Sequence, residues 1–189
     1  MSFSRAATLR NLTSPALRAM YNIDVQGLHT VPTHGPVIFD VQGAGLLVAP
    51  VVNACSPRPV HFVIDGELRQ VLSKKTRYLG GDIPLILPGF EATQLARKLL
   101  TQGEAVGLMG AFPSLGHLVA ATGAVVVPVS VTGAGGKVPT DPPRPRSNIG
   151  ILFHAPIEIS PVGDPCALAT VQTVGEQVRQ ARADARTQI

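Results

Sequence analysis

The apolar residues of this chain gather into short unbroken runs bounded by glycine and proline, and that pattern narrows the fold sharply. Val37 to Phe39, Val60 to Ile64, Ala105 to Met109, Val125 to Val131 and Ile149 to Phe153 read as strands. Because most of these runs are continuously apolar, they suit strands buried on both faces. Between them the spacing becomes helical. From Phe90 to Leu100 the apolar positions are 92, 95, 96, 99 and 100, and Gly103 follows as a stop signal. Leu115 to Thr122 is a shorter helix ended by Gly123. In a last helix, about Leu168 to Arg186, Val171, Val174 and Val178 share a face, with Arg179, Arg182 and Arg186 towards the C-terminus, where cations suit the helix dipole. Strands alternating with helices in this way predict an α/β fold, a largely parallel central sheet flanked by helices.

A length of 189 residues fits one domain, 1–189, able to bury a full core without staples. Hydrophobic residues make up 45% and charged residues 15%, the apolar side of ordinary, yet no run reaches the ~18 residues of a membrane span. The longest candidate, Ala44 to Val52, is interrupted by Gly45 and Pro50 and reads as a buried turn and short helix. Met1-Ser2-Phe3-Ser4-Arg5 lacks the apolar core of a signal peptide, so export is not indicated. The proline-rich tract from Val138 to Arg146 is expected to be a surface loop.

Particular blocks carry a more specific signal. Gly35-Pro36-Val37-Ile38-Phe39 leads to Ala49-Pro50; Ile23 to Pro32 precedes it; Arg58 to Leu68 and Leu79 to Leu87 follow. Beyond these come Gly103 to Gly110 with Phe112-Pro113, then Ala124 to Gly133 and Ile149 to Ile157. In order and character these blocks resemble the glycerophospholipid acyltransferases of the lysophosphatidate (1-acylglycerol-3-phosphate) type, over roughly residues 20 to 185.

What the resemblance implies is a scaffold without its chemistry. The family's Gly-Pro-Val-Ile strand runs into Asn-His-x-x-x-x-Asp-Pro, where the His takes the proton of the acceptor hydroxyl and the Asp orients its ring. Counting forward from Gly35-Pro36 puts the His position at Gly43 and the Asp position at Val48; counting back from Pro50 gives Ala44 and Ala49. Neither register supplies a base. Leu87 stands where the family has an Arg for the glycerol phosphate, and Phe112-Pro113 is followed by Ser114-Leu115-Gly116 instead of Glu-Gly-Thr-Arg. Three polar sites are lost while the apolar strands and the turns persist.

No His-x-x-x-x-Asp occurs elsewhere. His61 and Asp65 share a strand face but would stand ~13 Å apart at ~3.3 Å per residue, too far for one to orient the other. His117, just after the altered loop, is the remaining weak substitute for the base. Cys55 and Cys166 read as free thiols, and no ligand spacing calls for zinc or iron; no cofactor is expected. Gly43-Ala44-Gly45 lacks the third glycine of a dinucleotide fingerprint, Ser114 is not in a nucleophile elbow, and Thr132 to Lys137 has the wrong spacing for a phosphate loop.

The net charge of +4 comes with Arg5, Arg10 and Arg18 beside Phe3, Ala6, Ala7, Leu9 and Leu12, an amphipathic helix over 1–20 that suits an anionic membrane surface. Nucleic acid is disfavoured, since aromatics are only 4% and no dense basic stripe occurs. The expected function is therefore that of a degenerate, non-catalytic acyltransferase homologue that binds a lipid or acyl chain, through Ala44, Leu46, Leu87, Met109 and Gly110, or serves as a partner subunit in lipid metabolism. The alternative is an active enzyme, dependent on acyl-CoA or acyl-carrier protein, with a relocated base. The expected location is cytoplasmic, with peripheral contact at the inner face of the membrane as the option the basic residues open.

Overall fold

The computed structural model describes residues 14–64, 90–110, 114–138, 141–159, 164 and 167–187. A helix over 14–20 (α1) leads into β1 (Asn22–Gln26), a 3-10 turn (Leu28–Thr30) and β2 (Val37–Gln42). Then come α2 (Val48–Cys55), β3 (Val60–Ile64), α3 (Phe90–Thr101), β4 (Ala105–Met109), α4 (Leu115–Thr122), β5 (Val125–Thr132), β6 (Asn148–Phe153) and α5 (Leu168–Thr187). The fold is α/β, with a largely parallel sheet between helices, as the apolar runs predicted.

Six strands, among the described residues, form one sheet in the order β1-β6-β5-β2-β4-β3. β5, β2, β4 and β3 are mutually parallel, whereas β6 is antiparallel to β5 and parallel to β1. The C-terminal ends of β2, β4 and β5 therefore share one rim, here the upper rim, with the N-terminal ends of β6 and β1. β1 covers only the start of the block Ile23 to Pro32, which continues into the 3-10 turn, and its alternating exposure suits a half-wet edge strand.

Each central strand feeds two cores. Val37, Phe39 and Val41 of β2 point to one side with Val127, Val129, Ile149, Ile151 and Phe153, under α2 and against Leu17 and Tyr21. Phe39 and Phe153 meet edge to face, centroids 6.0 Å apart. On the same side Phe62 fills the space over Gly107, where a Cβ would stand 2.6 Å from its ring carbon Cδ1, so only glycine fits beneath it. Ile38, Val63, Val106, Leu108 and Val126 face the other way, onto Ala92, Ala96 and Leu100 of α3, Leu118 and Val119 of α4, and Val174 and Val178 of α5. Leu95, expected among the apolar positions of α3, is 44% exposed.

The lower rim is braced by Arg58. Its Nη1 donates to the carbonyl of Gly35 at 2.7 Å and its Nη2 to that of Gly103, so one guanidinium ties together the turns that enter β2 and β4. Burial pulls this guanidinium below its ordinary value, opposed in part by Glu104.

Candidate functional site

The upper rim holds the position from which the resemblance expects a base. β2 ends at Gln42, and Gly43 and Ala44 follow as exposed residues before the chain turns into α2. Val48 and Ala49, the alternative positions of the orienting carboxylate, are 0% and 2% exposed in the first turn of α2, inside the apolar core.

Backbone from the turn after β5 backs this loop. The Leu47 amide donates to the Ala134 carbonyl at 3.1 Å, and Gly135 lies so near that a Cβ there would stand 3.1 Å from the Ala44 carbonyl oxygen. Gly45 has φ +133°, and a Cβ on it would run into the Ala134 carbonyl. At Gly43 the Cβ would come within 2.7 Å of the Val131 carbonyl oxygen. The segment Val131 to Gly135 thus presses on Gly43 and Gly45, and only Ala44 carries a Cβ outward.

The residues expected to line an acyl slot fall into two environments. Leu46 and Met109, 2% and 5% exposed, belong to one apolar cluster, whereas Ala44 and Gly110 are exposed. Around Gly110 (φ +89°) a Cβ would meet nothing within 4 Å. Leu87 lies outside the described residues, as do Asp65, Cys166 and residues 1–13 of the expected amphipathic segment. Cys55 is buried at the end of α2.

The histidines are scattered. His61 lies near the lower rim, paired in register with Val106, its Nε2 3.8 Å from Glu104 Oε2. Burial holds its pKa down, with Glu104 acting in the opposite sense. His117 is half-buried in α4, a helix that packs between α3 and α5, and makes no hydrogen bond among the described residues. His29 is exposed, and His34 shares a hydrogen bond with Thr33 Oγ1 at 2.8 Å.

His154 is the histidine that sequence reasoning passed over. Its Nε2 lies 2.9 Å from Ser130 Oγ, and Ser130 is the register partner of Gln42, the residue just before Gly43. His154 lies two strands from β2, held by its amide to the Pro128 carbonyl at 3.0 Å. No spacing motif announces this pair, because it depends on the antiparallel register of β5 and β6. Among the described residues no three potential metal ligands come together, and no helix is long and apolar enough to cross a membrane.

Sheet order and flanking helices define an α/β fold, a six-stranded, largely parallel sheet between helices among the described residues. One solved structure similar to it is that of the 1-acyl-sn-glycerophosphate (LPA) acyltransferase PlsC from Thermotoga maritima, with a TM-score of 0.55 and 16% identity over 93% of this chain and 78% of that one. No family model and no curated protein matches the chain.

Proposed function

We propose that this protein is a non-catalytic member of the acyltransferase-like fold that binds a single-chain lipid or acyl chain, alone or as the lipid-holding subunit of a partner. What supports this reading is the upper-rim loop: Gly43 and Ala44, the positions that the resemblance assigns to the base, carry no titratable group, and the carbonyls of Val131 and Ala134 press against Gly43 and Gly45. The structural neighbour is named for activity on 1-acyl-sn-glycerophosphate, which makes lipids the natural ligand class. Leu46 and Met109 belong to one buried apolar cluster, and an acyl chain entering beside Ala44 would have to part that packing. Apolar surface buried there contributes about 25 cal/mol per Å². With Leu87 in place of an Arg, nothing in the motif favours a phosphate.

A fluorescent fatty-acid displacement titration tests this directly. The expected order is monoacylglycerol above lysophosphatidate, with Leu87→Arg narrowing the gap. Failure of every single-chain lipid to displace the probe leaves only the role of a protein partner.

One observation favours a second reading, an active acyltransferase with a relocated base: His154 Nε2 lies 2.9 Å from Ser130 Oγ, and Ser130 is the register partner of Gln42 at the end of β2. A general base is worth ~10² to 10⁴-fold, so this reading requires measurable transfer to a lysophospholipid that disappears in His154→Ala or His117→Ala. The non-catalytic reading expects no transfer in the wild type.

A further inference from the structure

We infer that the surface made by Met20, Lys137, Val138, Arg144 and Arg146 is the face with which this protein lies on an anionic lipid bilayer. These residues come from two places in the chain that the fold joins. The Arg146 amide donates to the Met20 carbonyl at 2.7 Å, and Asn22 Nδ2 donates to the Arg146 carbonyl at 3.4 Å, so the end of α1 and the loop into β6 form one surface. Within the loop, the Ser147 amide closes on the Arg144 carbonyl at 3.1 Å, Asp141 on Val138 at 2.9 Å and Gly136 on Asp141 at 2.8 Å. The loop is also anchored to the core, since buried Tyr21 donates its hydroxyl to the Pro143 carbonyl at 3.3 Å.

The composition of this surface names its occupant. Met20 is 43% exposed and Val138 51%, two apolar side chains in the open beside the exposed cations Lys137, Arg144 and Arg146. None of the three cations makes an ion pair among the described residues, and the acid within the loop, Asp141, is half-buried. Arg146 adopts φ 64°, a left-handed conformation uncommon for a residue with a Cβ, and its amide and carbonyl are both engaged by the α1–β1 junction. Cations that draw the surface in, with apolar tips that enter the headgroup layer, are the two components of interfacial binding. A nucleic acid would also want an aromatic platform, and Tyr21 is only 4% exposed.

The loop leaves β5 at the upper rim and touches the Gly45–Leu47 segment through Ala134, so a docked bilayer would lie beside the loop after β2. That last step rests on the lipid-binding reading; the docking itself does not.

Sedimentation of the full chain with vesicles tests the inference. Vesicles of phosphatidylcholine with phosphatidylglycerol should carry the protein down, and vesicles of phosphatidylcholine alone should not. Rising salt should release it. The double variant Arg144→Glu, Arg146→Asn, in which asparagine tolerates the left-handed backbone, should lower partitioning by at least ~10-fold, and Val138→Asp should lower it as well. Arg179→Glu on α5 serves as the control and should leave it unchanged, with circular dichroism verifying the fold of each variant. Equal binding to neutral vesicles, no effect of the double variant, or preferential capture of an RNA oligonucleotide lost in the same variant would each overturn the assignment. Displacement of a fatty-acid probe without vesicle binding removes this surface but not the lipid site; vesicle binding without displacement does the reverse.

Discussion

Leu47 donates its amide to the Ala134 carbonyl at 3.1 Å, and this bond seats the turn after β5 against the loop after β2. The contact leaves no room at Gly45, whose positive φ of 133° already excludes most side chains. Gly45→Ala is therefore expected to cost about 2 kcal/mol or more, because the added methyl meets backbone instead of a side chain that could swing away. Urea denaturation measures it; a change below about 0.5 kcal/mol would mean that the two loops part easily.

A histidine placed at either position that the resemblance assigns to a base should fail to act, in two different ways. Gly43→His places its Cβ 2.7 Å from the Val131 carbonyl oxygen and should lose stability. Ala44→His points into solvent and should fold normally, yet show no transfer to lysophosphatidate, since the base, its orienter and the phosphate contacts act as a unit. Adding Ala49→Asp introduces a carboxylate at a position 2% exposed within apolar surroundings and should cost several kcal/mol. Activity in Ala44→His alone would show that only the imidazole was missing.

Acid should weaken the fold in part through His61. Burial keeps its folded pKa below the ordinary 6.5, with Glu104 opposing, so as pH falls the unfolded chain takes up the proton first. The stability associated with the neutral ring is present above 6.5 and is lost as pH drops through the lower folded value. Comparing urea midpoints near pH 7.5 and pH 5 in wild type and His61→Gln checks this. The variant should lose less on acidification, and an identical loss would assign the effect to another group.

The layered sheet was legible from the chain because its strands are local apolar runs, and all five predicted from that pattern are strands. β2 extends past Phe39 to Gln42 and carries a buried Asp40, 3% exposed, that periodicity alone would have left outside a strand. At the candidate site the motif frame located the loop after β2 correctly at a strand end. It could not disclose what packs against that loop, since Val131 and Ala134 reach Gly43 and Gly45 only through the β2–β5 register. Ser130 and His154 escaped notice for the same kind of reason: their meeting is set by strand direction, which residue order does not spell out. Leu95 shows the opposite error, an apolar residue at helical spacing that the fold leaves 44% exposed.

The pairing of β1 with β6 sets the order in which a newly made chain can finish its sheet. Asn22 bonds to Asn148 across a separation of 126 residues, and among the described residues β1 has no other neighbour in the sheet. On the ribosome, Ile23 and Val25 emerge early and must wait for Ile149 and Ile151 before their backbone finds a ladder, while β2 needs only β4 and β5, which come first. This edge can close only once the chain through β6 has been made. A nascent chain stalled before Asn148 would present β1 unpaired, a natural place for a chaperone to hold it.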